Sequence, residues 1–238
     1  MHVPVKKLHL LIIFAAFLLL AIAAIFTTTR QASADHHLVR INEVMAGMNG
    51  VRAVDHWVGE RGFAGVSLRP FMIGLPPDDR RYYPIYAKCV ELGVPVSVHG
   101  SANWTTVSTS RLGHPSHFDA VACDFPELKL IISHGGYPWV LEAIQLAWKH
   151  QNVYLELAAH RPRYFALPGT GWEPLLRFGP TTIADKVLFG SGWFLLGRRP
   201  AQVVEEFCAL DLPAPILRKW LRENAVTLFG GQVPEASA

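Results

Sequence analysis

The sequence predicts an α/β fold: about five parallel strands alternating with helices, preceded by an N-terminal hydrophobic helix. Three observations carry this. Short apolar runs recur between segments of helical periodicity. Two of these runs, Val94-Pro95-Val96-Ser97-Val98-His99-Gly100 and Leu128-Lys129-Leu130-Ile131-Ile132-Ser133-His134-Gly135-Gly136, end in histidine followed by glycine. A buried parallel strand reads as such a run, and groups at strand C-termini are where α/β barrels carry their chemistry. Finally, Leu10 to Phe26 is apolar without interruption.

The elements follow in order. Lys6 and Lys7 precede the apolar stretch, and Ala32-Ser33-Ala34 follows it. A helix of that length stands at the lower limit for crossing a bilayer. Residues 1–34 are therefore expected to be a membrane anchor or a signal segment, with the membrane engaged through residues 8–26. Lysines before the stretch favour one pass with the following domain extracytoplasmic. The alternative is secretion after cleavage following Ala34. The domain itself is expected over 38–232.

Ile41 to Glu60 reads as a helix through Val44, Val51, Val54 and Val58, and Phe63 to Leu68 as a strand. Tyr83 to Leu92 is a helix stopped by Gly93, and Val94 to Val98 the next strand. Residues 100–118 form a loop rich in Ser, Thr and Gly, then Phe118 to Cys123 a short helix. Leu128 to Ile132 is a strand, Pro138 to His150 an amphipathic helix, and Asn152 to Leu157 a strand. A Pro- and Gly-rich segment covers 162–180. Lys186 to Phe189 is the last strand, with helices at about 200–209 and 214–228. A closed barrel of this kind has eight strands and roughly 250 residues, so about five strands make a partial one.

Composition excludes some classes. Half of the 238 residues are hydrophobic and 17% are charged, which argues against disorder. A net charge of +3 without a basic cluster excludes nucleic acid as a partner. Cys89, Cys123 and Cys208 are odd in number and widely spaced, so no disulfide framework is expected; Cys89 and Cys208 read as core residues. Ser191 lacks the sequence of a nucleophile elbow, which argues against a serine hydrolase.

Six pieces in order carry a family resemblance: GFAGVSLRPF (62–71), PIYAKCVELGVPVSVHGS (84–101), FPELKLIISHGGYPWVLEAI (125–144), HQNVYLELAA (150–159), ADKVLFGSGW (184–193) and LRENAVTLFG (221–230). Together they resemble the amidohydrolase-related, metal-dependent TIM-barrel family, in the branch of aminocarboxymuconate semialdehyde decarboxylase, and look N-terminally incomplete against it. The resemblance implies a partial (β/α) TIM-like barrel and a divalent metal, zinc. It implies His99 as a metal ligand and His134 as the group that activates the metal-bound water or handles protons. The family's H-x-H pair on its first strand has no counterpart, because the hydrophobic stretch occupies its place. The family's aspartate of a G-S-D motif is Gly192 here.

The residues add candidates of their own. His160 lies just beyond a strand end and could complete a three-histidine zinc site with His99 and His134. Arg69, at a strand end, is the candidate for gripping a substrate carboxylate, with Arg161 and Arg163 as further arginines. Tyr164 and Trp104 are candidate pocket walls. His114 and His117, three apart, form a candidate second metal patch, whereas adjacent His36 and His37 point to opposite faces of an extended chain. Two functions follow. One is a hydrolase or decarboxylase of a small carboxylic or cyclic substrate, metal-assisted. The other is a catalytically inactive, membrane-tethered barrel fragment that binds a ligand or protein. Self-association into a homo-oligomer would complete an open barrel, and a mis-started reading frame would explain the missing first units.

Overall fold

The structure is a computed structural model, and it describes residues 38–41 and 48–231. The expected N-terminal helix, the membrane stretch 8–26, the cleavage point after Ala34 and His36-His37 lie outside the described residues. Among the described residues no helix is long and apolar enough to cross a membrane.

Six parallel strands form one sheet in sequence order: β1 Leu38–Ile41, β2 Gly65–Leu68, β3 Val96–His99, β4 Leu130–Ser133, β5 Val153–Glu156 and β6 Val187–Leu188. Five are the expected runs. β1 was not expected, because the valine spacing drew the first helix back to Ile41. Among the described residues that helix covers Met48–Val54 (α1) and continues as a π-turn over Asp55–Glu60. Leu38–Ile41 pairs in register with Gly65–Leu68 and overlaps the expected helix only at Ile41, so pairing with a neighbour is what makes these four residues a strand.

The crossovers are α2 Pro70–Ile73, α3 Tyr83–Glu91, α4 Ser116–Asp124, α5 Val140–Lys149, α6 Glu173–Thr182, α7 Trp193–Leu196, α8 Pro200–Cys208, α9 Ala214–Arg218 and α10 Asn224–Leu228. α6 lies in the Pro- and Gly-rich segment read as irregular. Pro174 sits in its first turn, where a missing N–H costs nothing, and Pro180 near its end. Gly179 is required there: a Cβ would stand 2.8 Å from the Trp220 ring.

Strand side chains sort by parity. Val66, Leu68, Val96, Val98, Leu130, Ile132, Val153, Leu155 and Val187 join one core cluster with helix residues such as Tyr86, Phe118, Ile144, Leu175 and Trp220. This face is covered by helices. The opposite parity carries Ser67, Ser97, His99, Ile131, Ser133, Tyr154, Glu156 and Leu188. There Ile131 and Leu188 pack with Leu228 of α10 in a small second cluster. The Ser97 and Ser133 hydroxyls meet at 2.7 Å. Cys89 is buried as expected, but Cys208 is exposed, because α8 turns that side of its last turn to solvent.

Candidate active site

Register brings the polar residues of the second face together at its upper end. His99, Ser133, Glu156 and Leu188 pair across four strands in one row, so His99 and Glu156 stand on the same face at the strand C-termini. His134 follows directly after β4.

His134 adopts φ 65°, a left-handed backbone rare outside glycine. Two contacts fix it. Its Nδ1 donates to the Ala158 carbonyl at 2.9 Å, and its backbone N–H donates to Glu156 Oε2 at 3.4 Å. Because a carbonyl can only accept, Nδ1 carries the proton of this bond, and Nε2 is the nitrogen left for chemistry. Gly135 and Gly136 follow with positive φ as the chain turns. A Cβ on Gly135 would meet the Trp172 ring at 2.7 Å, so glycine lets that ring close over the turn.

The His99 ring meets His134 edge-on at 4.8 Å between centroids and Phe71 at 4.6 Å. Its Nε2 lies 3.3 Å from the Ser101 hydroxyl. Burial, then the charges of His134 and Arg69, lower its pKa to about 3, so the ring is neutral at ordinary pH. Arg69 is thus an electrostatic neighbour of His99, as its strand-end position predicts; its guanidinium also reaches Met72 Sδ at 3.9 Å. His160 stands 6.5 Å from His134, between Tyr137 at 4.8 Å and Trp172 at 5.0 Å. Burial, then His134, lowers its pKa to about 4.

Glu156 is the site residue that the sequence reading missed. Its Oε1 accepts from the Ala158 N–H at 2.6 Å, and burial raises its carboxyl above the usual range despite the nearby His134. The signal was present: an acid closes the otherwise apolar run Val153-Tyr154-Leu155. Glu156 also explains Gly190, whose Cβ would fall 1.6 Å from Glu156 Oε1.

The three histidines expected as a metal site meet different surroundings. His99 offers a neutral imidazole, which suits a metal. Gly192, at the family's aspartate position, has φ 52°, and a Cβ there would stand 2.2 Å from the Ala159 backbone nitrogen. Glu156 is turned onto backbone N–H groups, and His160 is held between aromatic rings. Among the described residues, the one trio of His, Cys, Asp or Glu donors gathered within 4.8 Å of one another is Asp119, Cys123 and His150, elsewhere in the molecule. The strand-end residues therefore do not by themselves fit a resident metal.

Other candidates separate. Arg161 is committed to an ion pair with Glu206, and Arg163 lies over the Tyr164 ring at 5.3 Å. His114 pairs with Glu142 at 3.4 Å and His117 with Asp78 at 2.9 Å, so they form no common patch. Trp104 is 95% exposed and Tyr164 is 43% exposed.

A family model described as Amidohydrolase matches residues 35–231. The chain belongs to the amidohydrolase family. Among solved structures, an uncharacterised TIM-barrel protein of Bordetella bronchiseptica is 28% identical, with a TM-score of 0.70 over 82% of this chain and 66% of that one. A dihydroxybenzoic acid decarboxylase of Polaromonas sp., solved with manganese and the inhibitor 2-nitroresorcinol, shares the fold at 18% identity and a TM-score of 0.57, covering 76% of this chain and 64% of that one. A 2-keto-4-carboxy-3-hexenedioate hydratase of Sphingobium sp. is 32% identical over 110 residues, covering 38% of this chain and 32% of that protein. The chain thus spans about a third of this curated relative and about two thirds of these solved structures. The family expected from the six motifs is the family found.

Proposed function

We propose that this amidohydrolase-family chain acts on a small unsaturated or aromatic carboxylic acid, by decarboxylation or by hydration and hydrolysis. The observation that carries the reading is His134. A non-glycine residue is held in left-handed backbone at a strand C-terminus, with one ring nitrogen anchored, which leaves the other to exchange a proton. Arg69 binds the substrate carboxylate. In decarboxylation the C–C bond breaks, carbon dioxide leaves, and the electron pair left on carbon takes the proton that His134 Nε2 has first accepted from solvent. In hydration His134 Nε2 takes a proton from the water as its oxygen bonds to one alkene carbon, the double-bond electrons shift toward the conjugated carboxylate, and the proton is then returned to the neighbouring carbon.

The relatives named as decarboxylase and hydratase support this substrate class. A divalent metal, with manganese seen in one relative and zinc expected from the sequence, would require donors besides His99; metal content measured on the purified chain decides this. The dispersed donors also favour the second reading, an inactive binding scaffold. Membrane attachment through residues 8–26, with an extracytoplasmic domain or release after Ala34, rests on the sequence alone; alkaline extraction of membranes separates anchored from released chain.

The deciding experiment screens small aromatic and unsaturated carboxylic acids for loss of substrate absorbance and carbon dioxide release, with and without added manganese or zinc. Turnover that falls about a hundredfold or more in His134→Asn supports the reading. No turnover on any acid, or turnover unchanged in His134→Asn, leaves the binding scaffold.

A further inference from the structure

At the opposite end of the sheet, three metal-type donors converge outside the histidine site. Asp119 and Cys123 are four apart on α4, so both project from one side of that helix. His150 follows the last turn of α5, with its backbone N–H bonded to Leu146 O at 2.9 Å. One donor atom from each of the three lies within 4.8 Å of the other two. The His150 Nε2 to Asp119 Oδ1 distance is 2.6 Å.

The frame around them is fixed. Asn152 donates to Phe125 O at 3.0 Å and to Leu128 O at 2.9 Å, which ties the exit of α4 to the chain leaving α5. Lys186 Nζ donates to His150 O at 2.9 Å and also to Gln151 O. The backbone that carries the donors is therefore held before any ligand arrives.

We propose that Asp119, Cys123 and His150 form a zinc-class cation site that ties α4 to the end of α5. One thiolate, one imidazole and one carboxylate is a donor set matched to zinc, with water as fourth ligand. Zinc holds such donors roughly 3.3–3.8 Å apart, so the cation draws in the exposed Cys123 and parts Asp119 from His150. Cys123 gives up its proton to solvent on binding.

Without the cation, Lys149 balances the charge, its Nζ 2.7 Å and 3.0 Å from the two Asp119 oxygens. Lys149 is on an exposed, flexible stem and competes with the cation for the same oxygens.

The test uses the full chain stripped with a chelator and titrated with cobalt(II) as a spectroscopic stand-in. Expected is one equivalent of cobalt with a thiolate-to-cobalt charge-transfer band. Cys123→Ser loses the band, and it and His150→Gln each weaken binding at least about tenfold. Lys149→Ala strengthens binding. His99→Ala and His134→Ala leave the band intact, which separates this site from the catalytic reading. Zinc should slow thiol-disulfide exchange at Cys123 while exposed Cys208 reacts unchanged. Cys123 is exposed, so serine there leaves the fold intact. A chain that gives no charge-transfer band, or a band that survives Cys123→Ser, overturns the proposal.

Discussion

The two ends of the sheet are built on opposite rules. At the strand C-termini, imidazoles stand close together, His134 and Ala159 hold positive φ, and burial pushes pKa values far from normal. At the N-termini, polar side chains cap turn carbonyls. Lys129 reaches Gly93 O and Leu228 O, Lys186 reaches His150 O and Gln151 O, and Asn224 reaches Ala184 O and Val187 O. The lower end satisfies the backbone, whereas the upper end uses it to aim side chains. This is the division an α/β barrel makes between its stability face and its chemistry face.

The comparison can be broken most severely at Gly192. Restoring the family's carboxylate with Gly192→Asp should destabilise the chain by about 3–4 kcal/mol, because the backbone is left-handed and the new Cβ meets Ala159 N at 2.2 Å. The variant should gain no metal at His99. Denaturant midpoints and metal analysis check both; a stable variant that binds metal there would show that the strand-end site is merely one ligand short.

At the other end, Asn224→Ala should cost about 2 kcal/mol by leaving the Ala184 and Val187 carbonyls without their donor. No change in the strand-end histidines is expected, which chemical shifts of their ring protons report. A loss below about 0.5 kcal/mol would mean that capping is not what stabilises this end.

Acid sharpens the contrast. Above pH 6.5 the His99 ring is neutral in both folded and unfolded chains. As pH falls below 6.5, the unfolded chain takes up a proton that the folded one refuses until about pH 3. Stability therefore falls with falling pH, by about 2 kcal/mol from this group between pH 7 and pH 5. His160 acts in the same direction down to about pH 4. His99→Gln should flatten the acid limb of a stability profile by that amount; an unchanged limb would place the ring in water.

The smallest effect is expected at the lower surface. Lys149→Ala should change stability by less than about 0.5 kcal/mol, because its ion pair with Asp119 is exposed. Thermal midpoints of the two proteins check this, and a larger loss would make that pair structural.

Alternation of strand and helix, the two strand-end histidines and the family were legible in the sequence, because apolar periodicity and short motifs are local properties. β1 was not legible, since four residues become a strand only when β2 pairs with them. α6 was hidden behind Pro180 and Gly179, which packing against Trp220 accommodates. Glu156 was visible only as one acid in an apolar run.

The sequence by itself determined the parallel α/β class, the placement of His99 and His134 at strand ends, and the glycine at position 192. Only the tertiary structure decided which donors meet. Distances among side chains from different strands depend on register, backbone turn and ring packing, none of which is encoded within one segment. Register set His99 and Glu156 in one row on either side of Ser133, the left-handed turn placed His134 after it, and His160 lies between the Tyr137 and Trp172 rings. The same long-range packing gathered Asp119, Cys123 and His150 at the far end.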